Sequence, residues 1–205
     1  MVPGTFVTVS GVDGGGKSTL VERLAARAEG HWSEVITLAP LKGDPVLVRQ
    51  VRSLPAPGEG DWRAREQWMA GYFSLRLAIA ARADVEPALA RGSLVIADRW
   101  CSDHVVNQSY FGADLAEWQP LLDSLPKPDL AIWLDVPPAT ARERIASRRD
   151  AGIGGNDSFL RFAAVRFGEV MSSVPHVRVD GRIPTDEAVR TILEHLLPAT
   201  QRGGP

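Results

Sequence analysis

The sequence predicts an α/β protein in which helices cover both faces of a five-stranded parallel sheet. Short strand-like segments alternate with helical segments along the 205 residues, and such alternation is typical of parallel sheets. Two of the strand segments, Leu94–Ala97 and Leu130–Leu134, are continuously apolar, as expected of strands buried on both faces. A chain of this length can bury one substantial core, so we expect one domain over residues 1–205.

The elements follow from apolar periodicity and from the turn residues between segments. The predicted strands are Thr5–Ser10, Glu34–Ala39, Ser93–Ala97, Leu130–Leu134 and His176–Val179. The predicted helices are 19–28, 45–53, 62–90, 103–109, 114–124, 137–149, 157–172 and 185–197. Pro87 lies inside the third of these helices and predicts a kink there.

The first strand ends in a glycine-rich turn, Gly11 to Ser18, that fits the pattern of a phosphate-binding loop. Backbone N–H groups of such a turn and the N-terminus of the following helix attract phosphate. Lys17 can reach the β- and γ-phosphates, and the Ser18 hydroxyl can bind Mg²⁺. The motif predicts a P-loop that binds ATP, and the alternative is a glycine turn without a ligand. The predicted cofactor-binding residues here are Gly11, Asp13, Gly14, Gly15, Gly16, Lys17, Ser18 and Thr19.

Asp98 and Arg99 directly follow the third strand. Because ligands bind beyond the carboxyl ends of parallel strands, both residues should lie beside the P-loop. The carboxylate can hold Mg²⁺ or orient the attacking oxygen, and the guanidinium can clamp an acceptor phosphate. The alternative is a capping Asp with a solvated Arg. We predict Lys17, Asp98 and Arg99 as catalytic residues and Ser18 and Asp98 as metal ligands.

A basic helix and a glycine-rich segment follow the fourth strand, and together they predict a lid over about residues 148–157. Phosphoryl transfer requires positive charge over the γ-phosphate and exclusion of water. We predict Arg148 and Arg149 as catalytic lid residues and Arg144 as a cofactor-binding residue. We expect Arg142 on a solvated helix face.

Composition excludes several other classes of function. A net charge of −2 and a pI of about 6.1 leave no broad basic surface for nucleic acid. The single cysteine, Cys101, excludes an internal disulfide and a cysteine-based metal site. Because no apolar run reaches membrane-spanning length and the chain opens in a strand, we expect a cytoplasmic protein without a membrane partner. Residues 201–205 should form a flexible tail.

Over nearly the whole chain, these motifs resemble those of the thymidylate kinase family, in the nucleoside monophosphate kinase group of P-loop proteins. Residues 11–19 match its loop, Asp98-Arg99-Trp100 matches its Asp-Arg-aromatic motif, and residues 128–138 match its fourth strand. Arg144 and Arg148 match its approach to the lid. The resemblance implies a three-layer P-loop kinase that uses ATP and Mg²⁺ to phosphorylate a nucleotide.

The resemblance also implies an acceptor site. In the family, the residue at Asp13 contacts the sugar 3′-hydroxyl, an aromatic ring at Phe73 stacks on the base, and a Gln at Gln108 lies near the base. Arg99 would hold the acceptor phosphate. With Arg76 and Trp100 as expected neighbours, the predicted substrate-binding residues are Asp13, Phe73, Arg76, Arg99, Trp100 and Gln108.

The chain departs from the family on the acceptor side. The family's Thr-Arg-Glu-Pro after the second strand is Thr37-Leu38-Ala39-Pro40 here, which removes its phosphate-gripping Arg. The base-reading Arg expected four residues after Phe73 is Leu77, with Arg76 one place early. The Tyr expected before Gln108 is Asn107.

These departures leave three readings open. The first is a kinase acting on thymidylate with weak acceptor binding, in which Lys42 or Arg76 replaces the missing charge. The second is a kinase of the same fold that acts on a different nucleotide, nucleoside or small molecule. The third is a nucleotide-binding regulatory protein without acceptor chemistry. A homodimer is compatible with all three.

Overall fold

A computed structural model describes residues 4–54, 62–147 and 156–197. Within these residues, five strands form one parallel sheet in the order β2-β3-β1-β4-β5. The strands are β1 Thr5–Ser10, β2 Val35–Leu38, β3 Leu94–Asp98, β4 Leu130–Asp135 and β5 His176–Asp180. The predicted fold class, a parallel five-stranded sheet covered by helices, is confirmed.

The α-helices are numbered in chain order. They are α1 Lys17–Ala28, α2 Pro45–Ser53, α3 Trp62–Ala80, α4 Glu86–Ala90, α5 Cys101–Tyr110, α6 Gln119–Asp123, α7 Pro138–Ala146, α8 Asp157–Ser172 and α9 Thr185–Leu196. A short 3₁₀ turn, Ala116–Trp118, precedes α6. No helix in these described ranges is both long and apolar enough to cross a lipid bilayer.

The irregularity predicted at Pro87 lies one turn earlier in the structure. A π-helical segment, Ala81–Val85, joins α3 to α4, and Pro87 stands in the first turn of α4. Proline has no N–H, and its ring clashes with the carbonyl four residues before it, so the regular hydrogen-bond ladder cannot continue. Widening the helix over the preceding turn accommodates both effects without ending it.

The sheet is buried on both faces. A first core includes residues of α1, α7, α8 and α9, and a second core includes residues of α3, α4 and α6. Alternate residues of β1 and β3 enter different cores, as strand geometry requires. Val7, Val9, Leu94 and Ile96 enter the first core, and Phe6, Val95 and Ala97 enter the second.

The register of β1 on β3 positions the functional residues. Val9 lies opposite Asp98, so both strands end at the same edge of the sheet. The loop that begins at Gly11 and the turn at Arg99 therefore leave the sheet side by side. The predicted convergence of these two motifs at one edge of the sheet is confirmed.

Candidate active site

The glycine-rich loop between β1 and α1 is shaped by close backbone approaches. Gly14 has φ 75°, and a Cβ at this position would lie 2.4 Å from the carbonyl oxygen of Ala141. A Cβ at Gly11 would lie 2.5 Å from the carbonyl oxygen of Leu134. Residues with a side chain are therefore excluded at both positions. The helix α1 begins directly after the turn, at Lys17. The N-terminal N–H groups of α1 consequently border the hollow of the loop, where an anion is favoured.

Lys17 is buried in the centre of this loop. Its Nζ donates hydrogen bonds to the carbonyl oxygens of Gly11 and Val12, each at 2.7 Å, and lies 4.0 Å from Oδ1 of Asp13. Burial, followed by the charge of Arg99, lowers the pKa of Lys17 from 10.5 to about 8, against the opposing effect of nearby carboxylates. The loop therefore holds an ammonium group where the phosphates of a nucleotide would bind.

Ser18 and Asp98 join the P-loop helix to the end of β3. The Ser18 hydroxyl donates to Oδ2 of Asp98 at 2.6 Å. Oδ1 of Asp98 is buried and meets no hydrogen-bond donor in the described part of the chain. Hard oxygen ligands of this kind suit Mg²⁺, which takes one or two protein ligands and completes its shell with phosphate and water. The described residues contain no group of three or more His, Cys, Asp and Glu that could hold a metal ion. The pair therefore fits Mg²⁺.

Arg99 adopts a left-handed backbone conformation, with φ 78°. This conformation is strained for a residue with a side chain and commonly marks a functional site. The backbone N–H of Arg99 is held by the carbonyl oxygen of Val9 at 3.0 Å. Its guanidinium contacts the carboxylates of Asp13 and Asp103. Burial opposes its charge, but the carboxylates of Asp13, Asp103 and Asp98 together raise the pKa of Arg99 above its ordinary value.

Asp103, in the first turn of α5, is a site residue that the sequence analysis missed. Its Oδ1 accepts from the backbone N–H of Gly11 at 3.4 Å and from Nη1 of Arg99 at 3.3 Å. Burial raises the pKa of the Asp103 carboxyl, and Arg99, Lys17 and the Ser10 hydroxyl oppose that shift. Its position four residues after Arg99 was not a usable signal, because Arg99 precedes α5 in a left-handed conformation and helical pairing of charges does not extend to it.

Arg144 ties α7 to the P-loop. Its Nη1 donates to the carbonyl oxygen of Gly15 at 3.1 Å, and its Nη2 donates to that of Gly181 at 2.9 Å. An open cavity of about 210 Å³ lies beside it. Gly16, Thr19 and Asp180 also line this cavity. The structure thus brings Arg144 to the loop, where the sequence predicts a cofactor-binding residue.

Of the other arginines near the predicted lid, the structure describes Arg142. Arg142 is exposed and lies 3.2 Å from Oδ1 of Asp157, which agrees with the solvated position expected of it. The predicted catalytic residues Arg148 and Arg149 lie outside the described residues.

Two predicted acceptor residues lie on α3, near the end of β2. Phe73 is half-buried and packs against Gly43, since a Cβ added at Gly43 would lie 3.1 Å from the Phe73 ring. Nε of Arg76 donates to the carbonyl oxygen of Pro40 at 2.8 Å. Leu77, which occupies the position expected for a base-reading Arg, is fully buried in the second core. Leu38 also packs against that core.

Two of the predicted acceptor residues beyond β3, Trp100 and Gln108, are buried. Trp100 packs edge to face on Phe6 with ring centroids 5.1 Å apart, and its Nε1 donates to the carbonyl oxygen of Pro126. Trp100 thus packs in the second core, and its place at the edge of the acceptor pocket stays a prediction. Oε1 of Gln108 is buried and meets no donor within the described ranges. One turn before it, Nε2 of His104 lies 2.9 Å from Oγ of Ser74.

Fold and site together define the class of protein. A glycine-rich loop between the central strand and its helix, with a Ser–Asp pair at the loop's exit, is the arrangement of the P-loop nucleotide-binding proteins.

The particular family within this class follows from comparison with known sequences. The family model described as Thymidylate kinase matches residues 9–192. The chain belongs to the thymidylate kinase family, and the resemblance noted in its motifs is confirmed.

Individual relatives show the same similarity over different lengths. The thymidylate kinase of Thiobacillus denitrificans is 34% identical over 209 residues, which cover 96% of this chain and 97% of that protein. That of Verminephrobacter eiseniae is 30% identical, covering 87% of this chain and 84% of the relative. That of Xanthomonas oryzae pv. oryzae is 33% identical over 159 residues, covering 72% of this chain. The chain thus spans 63% of the length of the Xanthomonas relative.

Proposed function

We propose that the protein transfers the γ-phosphoryl group of ATP to thymidylate, forming dTDP and ADP. Membership of the thymidylate kinase family supports the reaction class. The structural observation that carries the proposal is the contact between the Arg99 guanidinium and Asp13 of the P-loop. This contact holds a cation suited to an acceptor phosphate immediately beside the loop suited to the donor phosphates.

On the donor side, the loop N–H groups and Lys17 bind the phosphates. Ser18 and Asp98 would hold Mg²⁺, which neutralises charge on the β- and γ-phosphates when bound. The cavity beside Arg144 is open and adjoins Gly16 and Thr19, so we assign it to the nucleoside portion of ATP. Arg148 and Arg149 are assigned to a lid over about residues 148–157, which excludes water and stabilises charge on the transferring group.

On the acceptor side, Arg99 holds the phosphate, Asp13 the sugar hydroxyl, and Phe73 and Gln108 the base. Arg76 is the better of the two candidates for the missing cation, because its hydrogen bond to Pro40 fixes its guanidinium at the end of β2. Lys42 is exposed, and its three rotatable donors impose less geometry on a phosphate.

One observation favours a second candidate, the same reaction on a different acceptor. Leu38 and Leu77 occupy the two positions where the family carries cations, and both pack in the second core. Apolar side chains at these positions cannot pair with a phosphate or read a base. Each missing charge-assisted contact weakens acceptor binding by roughly tenfold to hundredfold.

An acceptor screen tests these alternatives. The protein is incubated with ATP, Mg²⁺ and one compound from a panel of nucleoside monophosphates and nucleosides, and ADP formation is scored as kcat/KM. We expect thymidylate-dependent ADP formation with a KM above the micromolar range. A higher kcat/KM for another acceptor would support the second candidate. ATP binding without ADP formation for any compound would instead identify a regulatory nucleotide-binding protein.

We also propose a homodimer. Leu75 and Ile79, one turn apart on α3, are 50% and 65% exposed and form an apolar strip. Sedimentation equilibrium of the wild type and of Ile79→Lys would test this assembly, and a monomeric wild type would contradict it. A single kinase domain with a cytoplasmic location stays a prediction from the sequence.

A further inference from the structure

A fully buried carboxylate stands behind the two cations of the site. Asp103 is 0% exposed, and its oxygens face the backbone N–H groups of Gly11 and Trp100, each at 3.4 Å, as well as Arg99. Each of these three groups is a hydrogen-bond donor. Burial raises the pKa of Asp103, but an ionised carboxylate only accepts hydrogen bonds, so these donors favour its charged form against that shift.

The two carboxylates that contact Arg99 differ in how firmly they are held. The side chain of Asp13 is 31% exposed and lies on the glycine-rich loop, whereas that of Asp103 is 0% exposed on α5. Asp103 is fixed by backbone donors from the loop and from its own helix. Asp13 can exchange Arg99 for another partner at the surface, but Asp103 cannot move without breaking buried hydrogen bonds.

We propose that Asp103 is a positioning residue that orients Arg99 toward the phosphate of the acceptor. This inference rests on the proposed function, in which Arg99 binds that phosphate. Asp103 itself does not touch the substrate. It holds one edge of the guanidinium through Nη1, while the edge that contacts Asp13 through Nη2 exchanges that carboxylate for the acceptor.

The charge of Asp103, together with those of Asp13 and Asp98, also compensates two cations that act on each other. Lys17 and Arg99 share the site, and a buried cation without a compensating charge is strongly unfavourable. Replacing Asp103 by Asn retains the side-chain shape and an oxygen that accepts from Gly11, but removes the charge that fixes Arg99. The substitution therefore separates the positioning role from a purely structural cap of the loop.

A double-mutant cycle of Asp103→Asn and Arg99→Ala tests the inference. Initial rates give kcat/KM for thymidylate at saturating ATP and KM for ATP at saturating thymidylate. We expect Asp103→Asn to lower kcat/KM for thymidylate about tenfold or more and to leave KM for ATP within about twofold. In the Arg99→Ala background, the same substitution should change kcat/KM by less than about twofold, because the guanidinium that Asp103 orients is absent.

Asp123→Asn on α6 is the matched control, since Asp123 is exposed and its oxygen accepts only from Gln119 within the described residues. It should behave as wild type. Thermal unfolding verifies that each variant is folded. If the amide is not accommodated at position 103, Asp103→Ser is taken through the same cycle, because its hydroxyl can still accept from Gly11.

The outcomes separate this inference from the proposed function. The positioning role would be overturned if Asp103→Asn lowers kcat/KM for thymidylate equally in the wild-type and Arg99→Ala backgrounds, or raises KM for ATP in parallel. Thymidylate turnover by the wild type would still uphold the proposed function. A wild type that phosphorylates no nucleotide would overturn both. Asp103 would be supported as a positioning residue if Asp103→Asn lowers kcat/KM for thymidylate, leaves KM for ATP unchanged, and has no effect in the Arg99→Ala background.

Discussion

The hydroxyl of Ser18 and the carboxylate of Asp98 form a 2.6 Å hydrogen bond between the first turn of α1 and the last residue of β3. The two residues are 80 positions apart in the chain. They meet because β1 and β3 are parallel neighbours, with Val9 opposite Asp98, so that the P-loop leaves the sheet beside the carboxylate. The hydrogen bond therefore marks the position at which a metal ion on the phosphates would meet the protein.

Asp98→Asn should remove most of the phosphoryl-transfer activity and raise the Mg²⁺ concentration needed for half-maximal rate. An amide is a weaker ligand for Mg²⁺ than a carboxylate, and it does not balance the charge of the ion. A Mg²⁺ titration of the initial rate measures this effect. Asp135→Asn serves as the control, because Asp135 also ends a strand but pairs with Arg178. An unchanged titration with a high rate would limit Asp98 to capping.

Lys17→Ala should abolish phosphoryl transfer and leave the fold intact. The ammonium supplies positive charge to the phosphates, and this electrostatic contribution is largest when charge develops during transfer. The assay is ADP formation, with circular dichroism as the test of folding. Lys127→Ala removes an exposed lysine and should retain wild-type turnover. Near-normal activity in Lys17→Ala would contradict the assignment of the P-loop.

Substitution of the lid arginines should separate kcat from KM. Arg148→Ala and Arg149→Ala are each expected to lower kcat more than they raise KM for ATP, since lid arginines act chiefly on the transition state. Steady-state kinetics with varied ATP measure both constants. Arg142→Ala is the control, because Arg142 pairs with Asp157 at the surface. A change confined to KM would assign the lid arginines to ground-state binding.

The stability of the protein should fall in mild acid because of His104. Burial lowers the pKa of His104 from 6.5 to about 4, so between these values the unfolded chain takes up a proton that the folded one does not. Stability from this group is therefore complete above pH 6.5 and declines as the pH falls toward 4. The loss between neutral pH and pH 5 should be about 2 kcal/mol in the free energy of unfolding.

Urea denaturation of wild type and His104→Asn at the two pH values measures this effect. The variant lacks the titrating group, so the difference in its free energy of unfolding relative to wild type should shrink by the same amount at pH 5. His195→Asn, at an exposed position, should retain the full pH dependence. Parallel pH profiles for wild type and His104→Asn would show that the buried imidazole is not responsible.

Local patterns in the sequence were sufficient to predict the glycine-rich turn after β1 and the charged end of β3. The P-loop, Asp98 and Arg99 are recognisable because residue type and spacing alone define a phosphate loop and a charged strand end. The same holds for the strands β1, β3 and β4, whose apolar runs reflect burial on both faces. Each of these signals is contained within a few consecutive residues.

Signals that depend on packing between distant elements were not predictable in the same way. Asp103 lies in the first turn of α5, where the sequence alone indicates only an ordinary capping residue. The structure shows that the backbone N–H of Gly11 donates a hydrogen bond to it. Trp100 directly follows Asp98 and Arg99, yet its ring packs in the second core against Phe6. Which side of α5 faces the loop depends on how α5 packs, and no local pattern specifies that.

A substitution at position 38 tests most directly whether the acceptor is thymidylate. Leu38 stands at the end of β2 where the thymidylate kinase family carries a cation, and Arg76 is fixed nearby by its hydrogen bond to Pro40. If the rest of the pocket suits thymidylate, Leu38→Arg should add one charge-assisted contact to its phosphate. That contact is worth about 1.5–3 kcal/mol, or roughly a tenfold to hundredfold gain in kcat/KM.

The gain should appear in KM for thymidylate and leave KM for ATP unchanged, because the donor site lies on the other side of the P-loop. Leu38→Gln is the control for loss of apolar packing against the second core, and it should not improve thymidylate use. Leu38→Arg and Arg76→Ala should also compensate for each other if Arg76 supplies the missing charge. A wild type that already uses thymidylate with a micromolar KM, together with no gain in Leu38→Arg, would show that the acceptor phosphate is fully bound by existing cations.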